Sequence, residues 1–131
     1  MSFFSRIKNT FSTESNLNEK WSVPETNEEL EKLSKESSGL NLIYKHSNTC
    51  MTCIFAKKRV EELLNSDVQI NSFHFIEVRM SRALSNFVSE KTGIKHESPQ
   101  AILLYNGEVK WHASHSSIEV DAILNTLKEI N

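Results

Sequence analysis

Hydrophobic and polar positions along the chain follow two different periods, and these periods predict an alternation of strands and helices. Apolar runs over 40–44, 71–78 and 101–105 have the length of strands and carry aliphatic and aromatic side chains. Between them, apolar residues recur three or four positions apart, as on one face of a helix. With a short strand over 21–23 and a helix over 26–37 in front, the predicted order is βαβαβαββα.

Capping and turn residues set the boundaries of these elements. Thr26 with Glu29, and Ser116 with Glu119, have the spacing of a capping box and predict two helix starts. An Asn-Gly pair at 106–107 separates two strand-like runs, which is the strongest short signal for a two-residue hairpin. The early crossover predicts parallel strands and the hairpin an antiparallel pair, so one mixed sheet should carry helices on both faces.

Both cysteines lie in the tetrapeptide Cys50-Met51-Thr52-Cys53, where the run 40–44 gives way to a helical pattern. Two thiols three positions apart on the first turn of a helix can close a small disulfide ring. The unpaired N–H groups of a helix start lower the pKa of the first thiol. We therefore predict that Cys50 is a nucleophile. Cys53 begins the core-facing stripe, and it is either a resolving thiol or simply a small buried apolar residue.

A lone proline, Pro99, leads into the run 101–105. Together with the cysteine pair it predicts a cis peptide bond beside the thiols, with the backbone of Ser98 offered to a substrate. His46 and His96, near the two motifs, are candidates for tuning the thiol or contacting substrate. Element order, cysteines and proline together predict an α/β thioredoxin-like fold, with a mixed central sheet of four to five strands flanked by helices on both faces.

A metal site is the competing interpretation of the cysteine pair. Met51-Thr52-Cys53 resembles the start of the copper-chaperone motif MxCxxC, but the second cysteine of that motif would fall on Ala56. Two thiols alone do not complete a zinc site, and no known spacing adds His46 as a third ligand. We therefore predict that no metal binds here.

Size and charge narrow the function further. The chain is 131 residues long and 38% hydrophobic, which is enough for one domain with its own core. We interpret 21–131 as that domain and 1–20 as a polar, amphipathic extension. A net charge of -2 and a pI of about 6.2 give no reason to expect a nucleic-acid partner.

Cysteine usage and hydropathy bear on the compartment. Two cysteines so close in sequence cannot form the disulfide framework of a small secreted domain, so we expect a reducing compartment, the cytoplasm. No stretch of roughly 18 apolar residues predicts a membrane span. In the extension, Phe3, Phe4, Ile7 and Phe11 are spaced as one helical face. That face indicates either a frayed or packed terminal segment, or a contact with a membrane surface or partner.

Three motifs carry a more specific signal: KHSNTC at 45–50, GIKHESPQA at 93–101 and NGEVKWHASH at 106–115. Together they resemble the YtxJ family, the monothiol bacilliredoxins of bacillithiol-producing Firmicutes, over about residues 22 to 130. The resemblance implies a thioredoxin-like oxidoreductase that removes bacillithiol from mixed disulfides on client proteins. By the same resemblance bacillithiol is a co-substrate, and no cofactor stays bound.

The resemblance also assigns residues. Cys50 matches the attacking cysteine of the family. The chain reads Met51, Thr52 and Cys53 where the family pattern TCPIS has Pro, Ile and Ser. With Cys53 present, the mixed disulfide on Cys50 has an internal route to a Cys50–Cys53 bond, and a disulfide reductase becomes a candidate partner. The predicted substrate-binding residues are His46, Thr49, Met51, Thr52, His96, Ser98 and Pro99.

Two alternatives stay open at this point. The first is a general dithiol enzyme that reduces protein disulfides without bacillithiol. The second is a thioredoxin-fold binding module that uses the surface at Pro99 to hold a partner and does not turn over.

Overall fold

The computed structural model describes residues 17–130, which form a five-stranded mixed sheet with helices on both faces. The predicted order of elements is confirmed. The predicted apolar face at the N-terminus, with Phe3, Phe4, Ile7 and Phe11, lies outside the described residues. The strands are β1 (Trp21–Ser22), β2 (Leu40–His46), β3 (Ser72–Glu77), β4 (Gln100–Tyr105) and β5 (Glu108–Ser114). The helices are α1 (Asn27–Glu31), α2 (Met51–Leu64), α3 (Arg82–Thr92) and α4 (Val120–Ile130).

Strand β2 occupies the centre of the sheet, whose order is β1-β3-β2-β4-β5. It pairs parallel with β3 and antiparallel with β4, while β5 pairs antiparallel with β4. All seven residues of β2 are buried. The chain leaves the carboxyl end of this central strand and enters α2 within a few residues. The cysteine pair therefore lies at the carboxyl end of the central strand.

Alternate side chains of β2 enter two separate cores. Leu42 and Tyr44 pack on the face covered by α2 and α4, whereas Ile43 packs on the face covered by α1 and α3. Leu42 is fully buried, and full burial of such a side chain contributes about 1.5–3 kcal/mol. Helices therefore cover both faces, as the sequence predicts.

Helix α2 is anchored along its whole length by one apolar stripe. The core-facing stripe predicted to begin at Cys53 is confirmed: its five members are buried, while Lys58 and Glu62 on the other side are exposed. This packing fixes the amino end of the helix relative to the sheet. With 14 residues, α2 is the longest helix within 17–130, and no helix in that range is long and apolar enough to cross a membrane. The stripe consists of Cys53, Ala56, Val60, Leu63 and Leu64.

The two-residue hairpin between β4 and β5 forms as predicted. Asn106 and Gly107 have φ values of 49° and 86°, the left-handed conformation that a tight hairpin of this twist requires. A Cβ atom on Gly107 would lie 2.3 Å from the carbonyl oxygen of Ser34. Glycine is therefore needed at this position both for its backbone angles and for space.

Helix α1 is shorter than its sequence predicts. Its capping residue is confirmed, since the Glu29 amide donates to the Thr26 hydroxyl at 3.3 Å. The helix ends at Glu31 rather than near 37 and tightens into a 3-10 turn over Lys32–Ser34. The Ser34 hydroxyl donates to the carbonyl oxygen of Glu31 at 2.7 Å, and serine hydroxyls of this kind compete with helical backbone bonds.

The capping box predicted at Ser116 is wrong. Ser116 lies inside a 3-10 turn, His115–Ser117, and α4 begins only at Val120. The turn is closed by the Ile118 amide, which donates to the carbonyl oxygen of His115 at 3.2 Å. Ile118 is fully buried in the core under α2 and α4. Because this residue packs into the core, the helix begins only after it.

Candidate active site

Cys50 is the N-cap residue of α2. Its backbone is extended, with φ of -109° and ψ of 120°, and its thiol is half-buried. The loop that carries it closes on itself, because the Cys50 amide donates to the carbonyl oxygen of Ser47 at 3.2 Å. The Cys50 sulfur in turn accepts a hydrogen bond from the Cys53 amide at 3.3 Å. A sulfur thus occupies the place of the oxygen in an ordinary helix cap.

These contacts favour the thiolate form of Cys50. The pKa of its thiol is lowered, chiefly by a hydrogen bond from the Cys53 thiol. The Cys53 amide and the side chain and backbone of Thr52 lower it further, whereas partial burial opposes them. Every stabilising donor comes from the first turn of α2, which is the effect that the helix start predicts.

Cys53 has the opposite character. Its side chain is 0% exposed, and burial raises the pKa of its thiol to about 12. The hydrogen bond to Cys50 and the charge of Glu77 act in the same direction, while the Ser47 amide, 3.4 Å from the Cys53 sulfur, lowers it. The pair is therefore asymmetric: a half-buried thiol with a lowered pKa lies beside a fully buried thiol with a raised pKa.

The Ser98–Pro99 peptide bond is cis, which confirms the prediction. Pro99 is buried and Ser98 is half-buried. Gln100 pairs with Lys45, so Pro99 lies one position further along, beside the end of β2 where the loop to Cys50 begins. The register of the sheet thereby brings the proline and the cysteine loop to the same end of β2.

His46, the last residue of β2, is buried beneath the cysteine loop with 3% of its surface exposed. Burial lowers the pKa of its imidazole to about 4, and the charge of Lys57 lowers it further. The ring is therefore neutral near pH 7. The Tyr44 hydroxyl donates to the carbonyl oxygen of Cys53 at 2.9 Å and also lies 2.9 Å from Nδ1 of His46. Since that hydroxyl has one proton, Nδ1 must carry the proton of the neutral ring.

Glu77 is a site residue that the sequence reasoning missed. It ends β3 directly beside His46, and its carboxylate is buried. Oε2 accepts from the Asn48 amide at 2.8 Å, and Oε1 accepts from the amides of Arg79 and Met80 at 2.7 and 3.2 Å. One carboxylate thus holds the loop before Cys50 and the turn after β3. An acidic residue at the carboxyl end of a buried strand was the available signal.

The profile of the family described as monothiol bacilliredoxin BrxC matches residues 24–123. The chain belongs to this family. The resemblance seen in the motifs is confirmed, and the protein is a thiol-disulfide oxidoreductase with a thioredoxin-like fold. The interpretation as a binding module without turnover is therefore set aside.

Solved structures agree with this bacilliredoxin fold. A thioredoxin-fold protein described as a candidate oxidoreductase is 28% identical with a TM-score of 0.72, covering 82% of this chain and 94% of its own. A thioredoxin variant from Halobacterium salinarum NRC-1 and oxidized thioredoxin O2 from Arabidopsis thaliana are each 16% identical, with TM-scores of 0.64 and 0.63. They cover 84% and 85% of this chain and 89% and 93% of their own. At that identity these two show the fold alone.

Several side chains near Cys50 in the sequence of this bacilliredoxin are exposed. Met51 is 69% exposed and Phe55 is 53% exposed, both on the first turns of α2. Thr49 and Thr52 are also exposed, and the Thr49 hydroxyl lies 3.1 Å from that of Ser47. Residues next to Cys50 are thus available to a substrate, but their roles in binding remain predictions.

The hydrogen-bond contacts of the His96 ring do not include either thiol. Its Nδ1 lies 3.2 Å from Nζ of Lys45 and 2.9 Å from the hydroxyl of Ser85, on the sheet face covered by α3. The cysteine pair lies on the face covered by α2. A direct contact between His96 and substrate remains a prediction.

Within 17–130, no three His, Cys, Asp or Glu side chains are grouped closely enough to hold a metal ion.

Proposed function

We propose that this bacilliredoxin removes bacillithiol from mixed disulfides on protein cysteines, with Cys50 as the attacking nucleophile. The observation that carries the proposal is the hydrogen bonding of the Cys50 sulfur at the start of α2, which favours the thiolate. Family membership supports bacillithiol as the co-substrate, and no resident cofactor is required. A reducing compartment such as the cytoplasm suits two unpaired thiols.

The first step is a thiol-disulfide exchange. The Cys50 thiolate attacks the bacillithiol sulfur, a new S–S bond forms, and the bond to the client sulfur breaks. The bonding electron pair leaves with the client cysteine, which takes up a proton from water. The client is thereby reduced, and Cys50 carries bacillithiol.

Two routes complete the cycle. In the monothiol route, a second thiol attacks the bacillithiol sulfur and releases Cys50 as a thiolate. In the dithiol route, Cys53 loses its proton and attacks the Cys50 sulfur, which releases bacillithiol and leaves a Cys50–Cys53 disulfide for a dithiol reductase. The raised pKa of Cys53 slows this second route. Once Cys50 is in a mixed disulfide it has no negative charge, so part of the effect that raises the pKa of Cys53 disappears.

The residues around Cys50 have distinct roles in this proposal. The backbone of Ser98, before the cis bond to Pro99, pairs with the extended client segment. Met51 offers apolar contact area, and Thr49 and Thr52 offer hydroxyl groups at the edge of the site.

Two matched variants test the proposal on a peptide with a single bacillithiolated cysteine. Cys50→Ser should release no peptide thiol. Cys53→Ser should release one equivalent of peptide and retain bacillithiol on Cys50, which intact-protein mass spectrometry detects. Continued turnover by Cys53→Ser with bacillithiol supplied supports the monothiol route, and loss of turnover supports the dithiol route. Full activity of Cys50→Ser would contradict the nucleophile assignment.

A general protein-disulfide reductase is the second candidate function. It is favoured by one observation, the Cys53 thiol that hydrogen-bonds the Cys50 sulfur and is suitably placed to resolve a disulfide. Such an enzyme would reduce the disulfides of insulin, with a dithiol as electron donor, faster than it cleaves the bacillithiolated peptide. The ratio of the two rates separates the candidates.

A further inference from the structure

Lys45 is a buried cation on the sheet face opposite the thiols. It precedes His46 on β2, and its side chain is 0% exposed. Its ammonium contacts the carbonyl oxygen of Ser85 at 3.1 Å, the hydroxyl of Ser89 at 3.3 Å and Nδ1 of His96 at 3.2 Å. Among residues 17–130, no carboxylate forms an ion pair with it.

These contacts satisfy the ammonium without a counter-charge. A lysine ammonium has three N–H donors, and three acceptors surround it. Because a protonated lysine can only donate, Nδ1 of His96 must be the unprotonated nitrogen of its ring. Burial lowers the pKa of Lys45 to about 8, so the charge is kept near pH 7 at an energetic cost.

The three acceptors come from two elements. Ser85 and Ser89 belong to α3, whereas His96 belongs to the segment 94–99, which links α3 to β4 and ends at the cis bond. The contact between Lys45 and His96 spans 51 positions of sequence. It joins the motif that contains the nucleophile to the motif that contains the proline.

The same segment is held at its other points by neutral or exposed contacts. The side-chain amide of Gln100 donates to the carbonyl oxygen of Lys95 at 2.9 Å, and the His115 amide donates to that of Pro99 at 3.0 Å. At the surface, Nδ1 of His115 lies 3.3 Å from Oε1 of Glu97. In the middle of the segment, Lys45 provides the charged contact, and the Ser85 hydroxyl lies 2.9 Å from the same nitrogen of His96.

We propose that Lys45 is a positioning residue for substrate binding, which acts through His96 to fix the backbone that ends in Ser98 and Pro99. The inference rests on the proposed function in one respect, that this backbone pairs with the substrate. Since the ammonium lies on the face away from the thiols, it should affect capture of the substrate and leave the reactivity of Cys50 unchanged.

Lys45→Met tests this, because it removes the ammonium and keeps an unbranched apolar side chain. We expect KM for the bacillithiolated peptide to rise about fivefold or more, with kcat and the rate of Cys50 alkylation by iodoacetamide changed less than about twofold. Hydrogen exchange of the His115 amide, which donates to the carbonyl oxygen of Pro99, should become about tenfold faster. His96→Leu should reproduce both effects, and the double variant should be no worse than either single one. Lys128→Met, at an exposed position on α4, removes the same charge and should change neither quantity.

Three results would overturn the inference. One is an unchanged KM in both variants of an active enzyme. Another is a parallel fall in Cys50 alkylation, which would place the effect at the thiol. If the wild-type enzyme does not cleave the bacillithiolated peptide, the proposed function is wrong. Exchange of the His115 amide then tests the anchoring alone, and unchanged protection of that amide in His96→Leu, which keeps Lys45, refutes it.

Discussion

The Cys53 amide donates a hydrogen bond to the sulfur of Cys50 at 3.3 Å, across the first turn of α2. The thiol of Cys53 donates to the same sulfur and is the largest cause of its lowered pKa. Cys53 thus acts on the nucleophile before any disulfide forms. In a family described as monothiol, this chain therefore has a second cysteine in contact with the sulfur of Cys50 in the reduced state.

The first prediction concerns that thiol donor. Cys53→Ala should raise the pKa of Cys50, because it removes the side-chain hydrogen bond and leaves the amide in place. Cys53→Ser is the matched control: its hydroxyl keeps a donor at the same position, so the pKa should rise less. The rate of Cys50 alkylation by iodoacetamide, measured against pH, reports both values. Equal curves for the wild type and Cys53→Ala would contradict the role of the thiol.

The second prediction concerns Glu77 and the loop that it holds. Glu77→Gln should lower the free energy of unfolding by about 1–3 kcal/mol, because an amide cannot accept all three backbone N–H groups. It should also lower the pKa of Cys53, because a negative charge near that thiol is removed. Urea unfolding measures the first effect. Glu62→Gln, exposed on α2, is the control and should stay within about 0.5 kcal/mol of the wild type.

Local sequence patterns were sufficient to predict most of the fold and the position of Cys50 at the start of a helix. The stripe that begins at Cys53 is set by helical spacing, and the hairpin at Asn106 is set by backbone angles that few residues adopt. Both signals lie within a few neighbouring positions. The cis bond before Pro99 was inferred from the cysteine pair, because an isolated proline does not predict its own isomer.

Contacts that depend on the register of the sheet could not be predicted from the sequence. Glu77 reaches the cysteine loop only because β3 runs parallel to β2, with Glu77 beside His46. The contact from Lys45 to His96 requires the end of β2 to meet the segment before β4, on the face under α3. The Ser116 cap failed for a related reason, since burial of Ile118 outweighed a local capping preference.

The third prediction is a loss of stability in acid. Burial lowers the pKa values of His46 and His74 to about 4, whereas the unfolded chain has the ordinary value of 6.5. Between pH 6.5 and 4 the unfolded state binds more protons, so the free energy of unfolding falls as pH falls. The loss is of the order of 2–3 kcal/mol for each fully buried ring. His74→Leu should reduce the fall, which urea unfolding at pH 7, 5.5 and 4.5 checks. An equally steep fall in His74→Leu would contradict the assignment.

The fourth prediction concerns stability at alkaline pH and isolates Lys45. Its pKa is about 8 in the folded protein and 10.5 in the unfolded chain, so the cost of burying its charge is fully present below pH 8. Between pH 8 and 10.5 the unfolded state binds more protons, and the wild type should therefore gain stability relative to Lys45→Met, by about 2–3 kcal/mol at most. His96 is already neutral in this range, because burial and the charges of Lys45 and Arg82 lower its pKa. The ionisation of Cys53 occurs in both proteins and cancels in the difference. Urea unfolding of the pair at pH 7.5, 9 and 10 measures the gain, and a constant difference would show that the ammonium is not buried as a charge.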